Sequence, residues 1–220
     1  MSGTSLRLTA KYDSVGRYYT SGMIRSKTTF KYGYFEGRFK LPKGRGIWPA
    51  FWLNSDGRAD SELSWPPEID IFEYVVNGAT EFPNMIHTSV VNRGPQGSTV
   101  LAMDPAFNTQ WNFYPAPSDL SDDWHVIALL WDTDDTVTTF IDGRMIVKRA
   151  TRWVYNSGAN AANAHILVNF ALGGGWAGPI DDSQLPSFLD VDYIRVYQKA
   201  KARNTGTAVI GHNLCPARGC

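Results

Sequence analysis

Hydrophobic and polar residues alternate along much of this chain, most plainly in YGYFEGRFKL at 32–41. There Gly33, Phe35, Gly37, Phe39 and Leu41 are apolar or small, and Tyr34, Glu36, Arg38 and Lys40 between them are polar or amphipathic. A period of two sends the two sets to opposite faces of a strand. WHVIALLWD at 124–132 is apolar on both faces, the pattern of a central strand covered on both sides, with Trp124 and Trp131 in the core. TVTTFIDGRMIVKR at 136–149 reads as a hairpin turning at Asp142 and Gly143. Further strands are expected at 5–11, 18–29, 47–54, 65–74, 85–91, 164–172 and 189–197, and no stretch shows a persuasive helical period. Short strands punctuated by Gly, Pro and Asn predict an all-β, antiparallel two-sheet sandwich. The pattern lapses after Gln198, which divides the chain into a folded domain at 1–198 and a C-terminal tail at 199–220.

Composition narrows the function classes. The 220 residues carry 21 Lys plus Arg and 21 Asp plus Glu, a formal charge of zero with no basic block, so nucleic acid is not an expected partner. No apolar run is long enough to cross a bilayer, and the opening MSGTSLRLTAKYD lacks the apolar core of a signal peptide, so no membrane partner is expected. Cys215 and Cys220 both fall in the tail, where they can close a small ring or remain thiols. Eight Trp exceed what a core of this size needs, which leaves some indoles for a ligand.

One strand is anomalous. WPPEIDIFEY places Glu68, Asp70 and Glu73 inside a run that otherwise reads as buried. Glu68 and Asp70 share a face, but Glu73 stands at an odd offset from Glu68 and points away from it unless a β-bulge near Ile71 and Phe72 absorbs one residue. With the bulge, three acids line one face. Two carboxylates flanking an anomeric carbon are what glycoside hydrolysis requires, and a third negative charge raises the proton affinity of its neighbours. The other reading of these acids is an exposed strand whose carboxylates are solvated or paired with Arg.

The surrounding segments bear on that choice. YTSGMIRSKTTFKYGYFEGRFKLPKGRGIWPAFWL, WPPEIDIFEY, NMIHTSV, WHVIALLWD, FIDG, ILVNFALGGGWAG and LDVDYIRVYQ together resemble glycoside hydrolase family 16 from about residue 5 to residue 198. The resemblance implies a jelly-roll sandwich with an open concave cleft and a retaining endo-glycosidase in which Glu68 matches the nucleophile, Asp70 the assisting acid and Glu73 the acid/base. The spacing of the acids resembles the bulged branch of laminarinases, agarases and carrageenases. It implies a polysaccharide substrate, most of all a β-1,3-glucan; the alternatives are a galactan, a bacterial exopolysaccharide, or a non-catalytic carbohydrate-binding sandwich. Arg25, Trp48, Trp52, Trp65, His87 and Trp176 match cleft-lining positions, and an extracellular location follows from the same likeness. The oligomeric state is left open.

Competing motifs are weak. GGGWAG at 173–178 satisfies the dinucleotide-binding spacing but leads into GPIDDSQLP without a βαβ unit, and reads as a loop. The four histidines show no metal-ligand spacing, so no catalytic metal and no other cofactor is expected. Asp192 resembles a position that holds a structural calcium in some family members. Those members also carry an N-terminal strand and loop ahead of the segment that SLRLTAKYD resembles.

Overall fold

The computed structural model describes residues 5–56, 63–92 and 97–199; most of the tail, with Cys215 and Cys220, lies outside the described residues. Its strands are β1 (Leu6–Asp13), β2 (Tyr18–Thr20), β3 (Met23–Arg25), β4 (Gly33–Lys40), β5 (Ile47–Asp56), β6 (Leu63–Glu73), β7 (Met85–Val91), β8 (Ser98–Met103), β9 (Phe113–Pro115), β10 (Trp124–Trp131), β11 (Thr136–Ile141), β12 (Arg144–Thr151), β13 (Ala164–Leu172) and β14 (Ser187–Tyr197). They form an eight-stranded sheet, β2-β1-β14-β4-β10-β11-β12-β8, packed on a six-stranded sheet, β3-β13-β5-β6-β7-β9. Every ladder between neighbouring strands is antiparallel.

Alternation decides which sheet face meets the core. In β4, Phe35, Gly37 and Phe39 are buried between the sheets while Tyr34, Glu36, Arg38 and Lys40 lie on the outer face. In β5, Ile47, Phe51 and Leu53 point inward, and Trp48, Ala50 and Trp52 take the opposite face. Phe39 bridges the two layers, with ring centroids 5.2 Å from Phe51 and 5.1 Å from Phe72. The β11–β12 turn uses Asp142 at φ 50° and Gly143 at φ 80°, the left-handed pair that a two-residue hairpin of matching twist requires.

Several expectations need correction. The 18–29 strand is two short ones, β2 and β3, divided at Ser21 and Gly22 and assigned to different sheets. β8 and β9 carry no clear alternation and escaped the sequence pattern; β8 is an exposed edge strand, five of its six residues being open to solvent. GGGWAG is not all loop, since Gly174–Ala177 forms one helical turn. Trp131 is core, but Trp124 lies half-buried on the outer face with the Arg38 guanidinium 4.9 Å from its ring. Asp192 accepts from Arg38 at 2.8 Å.

Because Phe39 ties the sheets together from the side opposite the acids, Phe39→Ala is expected to lose about 3–5 kcal/mol of unfolding free energy. Denaturant unfolding checks this, and a loss below about 1 kcal/mol would remove the aromatic trio from the account of sheet packing.

Candidate active site

The bulge inferred from the odd spacing is present. Between Asp70 and Glu73, β6 advances three residues while its β7 partners advance only two, from Ser89 to His87. On the other side Asp70 faces Trp52 and Phe72 faces Phe51, which leaves Ile71 as the extra residue. Ile71 and Phe72 are consecutive and both fully buried members of the hydrophobic core, as the extra residue allows. The next side chain, Glu73, is thereby returned to the face of Glu68 and Asp70. Farther up the strand, pairing with β5 breaks again between Asn54, opposite Glu68, and Ser55, opposite Ser64. The intervening Pro66 and Pro67 have no N–H to give to a ladder.

The three acids share a groove of about 230 Å³ on the outer face of the six-stranded sheet with Trp48, Ala50, Trp52, Asn169 and Ala171. Each acid has its own support. The Trp48 indole donates to Glu73 Oε1 at 3.0 Å. Asp70, 5% exposed, accepts a short hydrogen bond from the Ser89 hydroxyl, and its backbone carbonyl accepts from the Thr88 hydroxyl at 2.8 Å. The polar side chains acting on the Glu68 carboxyl are those of Trp65, Asn54 and Asp70. Trp52 is fixed by donating its indole N–H to Asn169 Oδ1 at 2.7 Å.

Burial and mutual repulsion hold protons in this cluster. Loss of water, followed by the nearby Asp70 charge, pushes Glu68 and Glu73 each up to about 8. Burial pushes Asp70 up to about 6, against the opposing pull of Ser89, Glu68 and Arg149. The acids therefore titrate as one set in which Asp70 ionises before its neighbours.

The remaining expected contacts divide. Trp48, Trp52 and Trp65 reach the acids. Trp176 packs edge-on against Trp48, with ring centroids 5.1 Å apart, and extends the aromatic wall beyond Glu73. Arg25 shares a sheet face with Leu167 and Trp52 through the β3–β13–β5 register, but stands on the edge strand and is not part of the groove lining around the acids. His87 departs from expectation. It is 4% exposed and both ring nitrogens are engaged, Nε2 with Glu81 Oε2 at 2.6 Å and Nδ1 with the Trp111 carbonyl at 3.2 Å. Paired directly with Glu73 across the β6–β7 ladder, it lies on the same sheet face and packs against Trp176 with ring centroids 4.8 Å apart, its nitrogens already taken up.

Sequence reasoning missed Asn169, Ser89 and Glu81. Asn169 carries the same signal as the acids, a polar residue inside an apolar strand. Glu81 holds His87 on one oxygen and accepts from the Trp176 indole at 3.0 Å on the other. It follows a turn in which Asn77 Oδ1 accepts from three successive backbone N–H groups, and nothing in the local pattern marks it.

The family model of glycosyl hydrolases family 16 matches residues 1–194. The chain belongs to that family. Among its family-16 relatives, a beta-glucanase of Rhodothermus marinus is 32% identical over 197 residues, covering 83% of this chain and 64% of its own length. Glucan endo-1,3-beta-glucosidase A1 of Niallia circulans is 27% identical over 192 residues, covering 82% of this chain and 26% of its own. The chain thus spans less than two thirds of the curated relatives it matches. A laminarinase crystal structure from Flavobacterium sp. UMI-01 superposes with a TM-score of 0.67 at 32% identity, covering 88% of this chain and 79% of that one.

A carboxyl whose folded pKa is raised binds its proton more tightly folded than unfolded. Its contribution to stability is complete below the ordinary value near 4.5 and is lost as pH rises toward about 8. Glu73→Gln is therefore expected to melt a few degrees above the parent at pH 8 and no higher at pH 4.5. A melting-temperature difference independent of pH would show that Glu73 is not held protonated by burial.

Proposed function

We propose that this family-16 domain is a retaining endo-β-glucanase that cleaves internal linkages of a β-1,3-glucan, with Glu68 as nucleophile, Glu73 as acid/base and Asp70 as the assisting acid between them. The observation that carries the reading is the β6 bulge, which puts two long carboxylates on one face with the shorter one between. The groove lies along a sheet face and not in a closed pocket, which suits a polymer entering from the side. The resemblance of the chain to a beta-glucanase and to a laminarinase structure supports the glucan as substrate.

In the first step Glu73 gives its proton to the glycosidic oxygen as the bond from that oxygen to the anomeric carbon breaks. A Glu68 carboxylate oxygen attacks the same carbon, forming a β-to-α inverted glycosyl ester. In the second step Glu73, now ionised, takes a proton from water, whose oxygen displaces Glu68 and restores the β configuration. Protonation states are the difficulty, because burial raises both glutamates alike while their tasks require opposite forms. Geometry separates them. Glu73 has one fixed donor, Trp48, whereas Glu68 has Trp65 and Asn54 as donors and Asp70 to receive its proton. Glu68 is the one that can ionise without leaving the cluster more charged.

The indoles of Trp48, Trp52 and Trp65 offer flat apolar faces to pyranose rings, and their N–H groups are already committed to holding side chains of the site. They recognise ring faces more than hydroxyls.

Two measurements test this reading. Incubation with a polysaccharide panel is expected to release reducing ends from β-1,3-glucan most rapidly, and no release from any β-glucan would contradict it. With an activated aryl β-glucoside and azide, Glu73→Ala is expected to give the β-glycosyl azide, because azide replaces the second-step water. Glu68→Ala is expected to give the α-azide by direct displacement. Each variant is expected to lose on the order of 100- to 10,000-fold or more on polymer without azide. The opposite azide anomers would exchange the two roles.

A further inference from the structure

Arg149 is an arginine in the core, 2% exposed, on a strand of the sheet opposite the acids. Its neighbours are neutral. One terminal nitrogen donates to the Thr88 carbonyl at 2.9 Å and to Asn112 Oδ1 at 3.2 Å, and the guanidinium lies 5.4 Å from the Phe107 ring centroid. Among the described residues it has no carboxylate within ion-pair distance. A buried cation costs several kcal/mol unless a charge offsets it, and an apolar residue would fill the same space more cheaply. The fold keeps Arg149 at a position where β12 otherwise buries Ile146 and Val147.

What lies beyond its hydrogen bonds suggests why. Thr88, whose carbonyl Arg149 holds, donates its hydroxyl to the Asp70 carbonyl, and the next residue, Ser89, donates to the Asp70 carboxylate. Arg149 therefore abuts the back of the strand pair whose front presents the acids. From this geometry we infer that Arg149 is a positioning residue of the active site, a buried countercharge that acts through the sandwich core on the Glu68–Asp70 pair and fixes β7 behind it. The inference rests on the proposed role of those acids.

The charged groups acting on Asp70 are Glu68 and Glu73 along β6 and Arg149 from β12; from β7 it receives the neutral Ser89. The neighbouring β5 contributes Trp52 opposite it. Burial opposes its ionisation, and Ser89, the neighbouring Glu68 carboxyl and the Arg149 charge favour it. Correspondingly, burial brings Arg149 itself down to about 10, with Asp70 the charge that resists the fall. In the resting site this keeps one negative charge on the Glu68–Asp70 pair. That charge then moves to Glu68 when its proton passes to Asp70.

The test is a carboxyl-carbon NMR titration of Asp70, assigned with Asp70→Asn, in the parent, Arg149→Lys and Arg149→Met, alongside the pH dependence of kcat/KM. Arg149→Met is expected to raise the Asp70 midpoint by about one pH unit, a tenfold change in proton affinity, and to move the acid limb of kcat/KM with it. Arg149→Lys is expected to hold both near the parent values. An Asp70 midpoint unmoved in folded Arg149→Met would overturn the inference, whether or not the domain cleaves glucan; an inactive parent with a shifted midpoint would overturn only the proposed function. If Arg149→Met does not fold, folding of Arg149→Met/Asp70→Asn supports the coupling. Failure of both makes Arg149 a packing requirement independent of Asp70, and ends the proposal.

Discussion

The arrangement of this site depends on one surplus residue. Strand geometry sends residues at odd offsets to opposite faces, so a regular β6 would place Glu73 in the core among Phe39, Phe51 and Ile69. Ile71 and Phe72 instead both enter the core, and the chain resumes its alternation with Glu73 outside. The apolar interior stabilises the irregularity, because both bulge residues find full burial. Core packing and acid placement are thus the same constraint seen from the two sides of one sheet.

That placement puts charge where water is scarce. Three carboxyls within one groove repel, and burial raises the proton affinity of each. The surrounding side chains differentiate them. Ser89 and Arg149 favour ionised Asp70, Trp65 and Asn54 favour ionised Glu68, and Glu73 has Trp48 alone as donor. A second layer holds the first in place: Asn169 fixes Trp52, and Glu81 joins His87 to Trp176, which in turn packs on Trp48. Few of these groups can be changed without altering another, so the site is set by its supporting contacts as much as by the acids.

Much of this was legible in the sequence, for identifiable reasons. Strands with one buried face announce themselves by alternation, as β4 does, and the odd offset from Glu68 to Glu73 implied a bulge before any coordinates. Polar residues at buried parity were equally visible, and the rule that singled out the acids applies to Asn169 and to Arg149. What was not legible depended on contacts between distant segments. His87 looked like a sugar ligand because nothing local shows that Glu81 and the Trp111 carbonyl occupy its nitrogens. Trp124 looked like core because its strand is apolar throughout, yet β10 presents that side outward beneath Arg38. β8 escaped because it buries almost nothing, so no pattern was imposed on it.

The claim on which the account depends is that the bulge brings Glu68 and Glu73 close enough for double displacement. An inverting reaction needs carboxyls roughly 6.5–9.5 Å apart, to admit a water between acid and sugar, whereas retention needs about 5–5.5 Å. Proton NMR of the anomeric region during the first minutes of β-1,3-glucan hydrolysis distinguishes these directly, before mutarotation mixes the products. The account predicts that the β-anomer of the new reducing end appears first and the α-anomer follows slowly; an α-anomer formed first would contradict it.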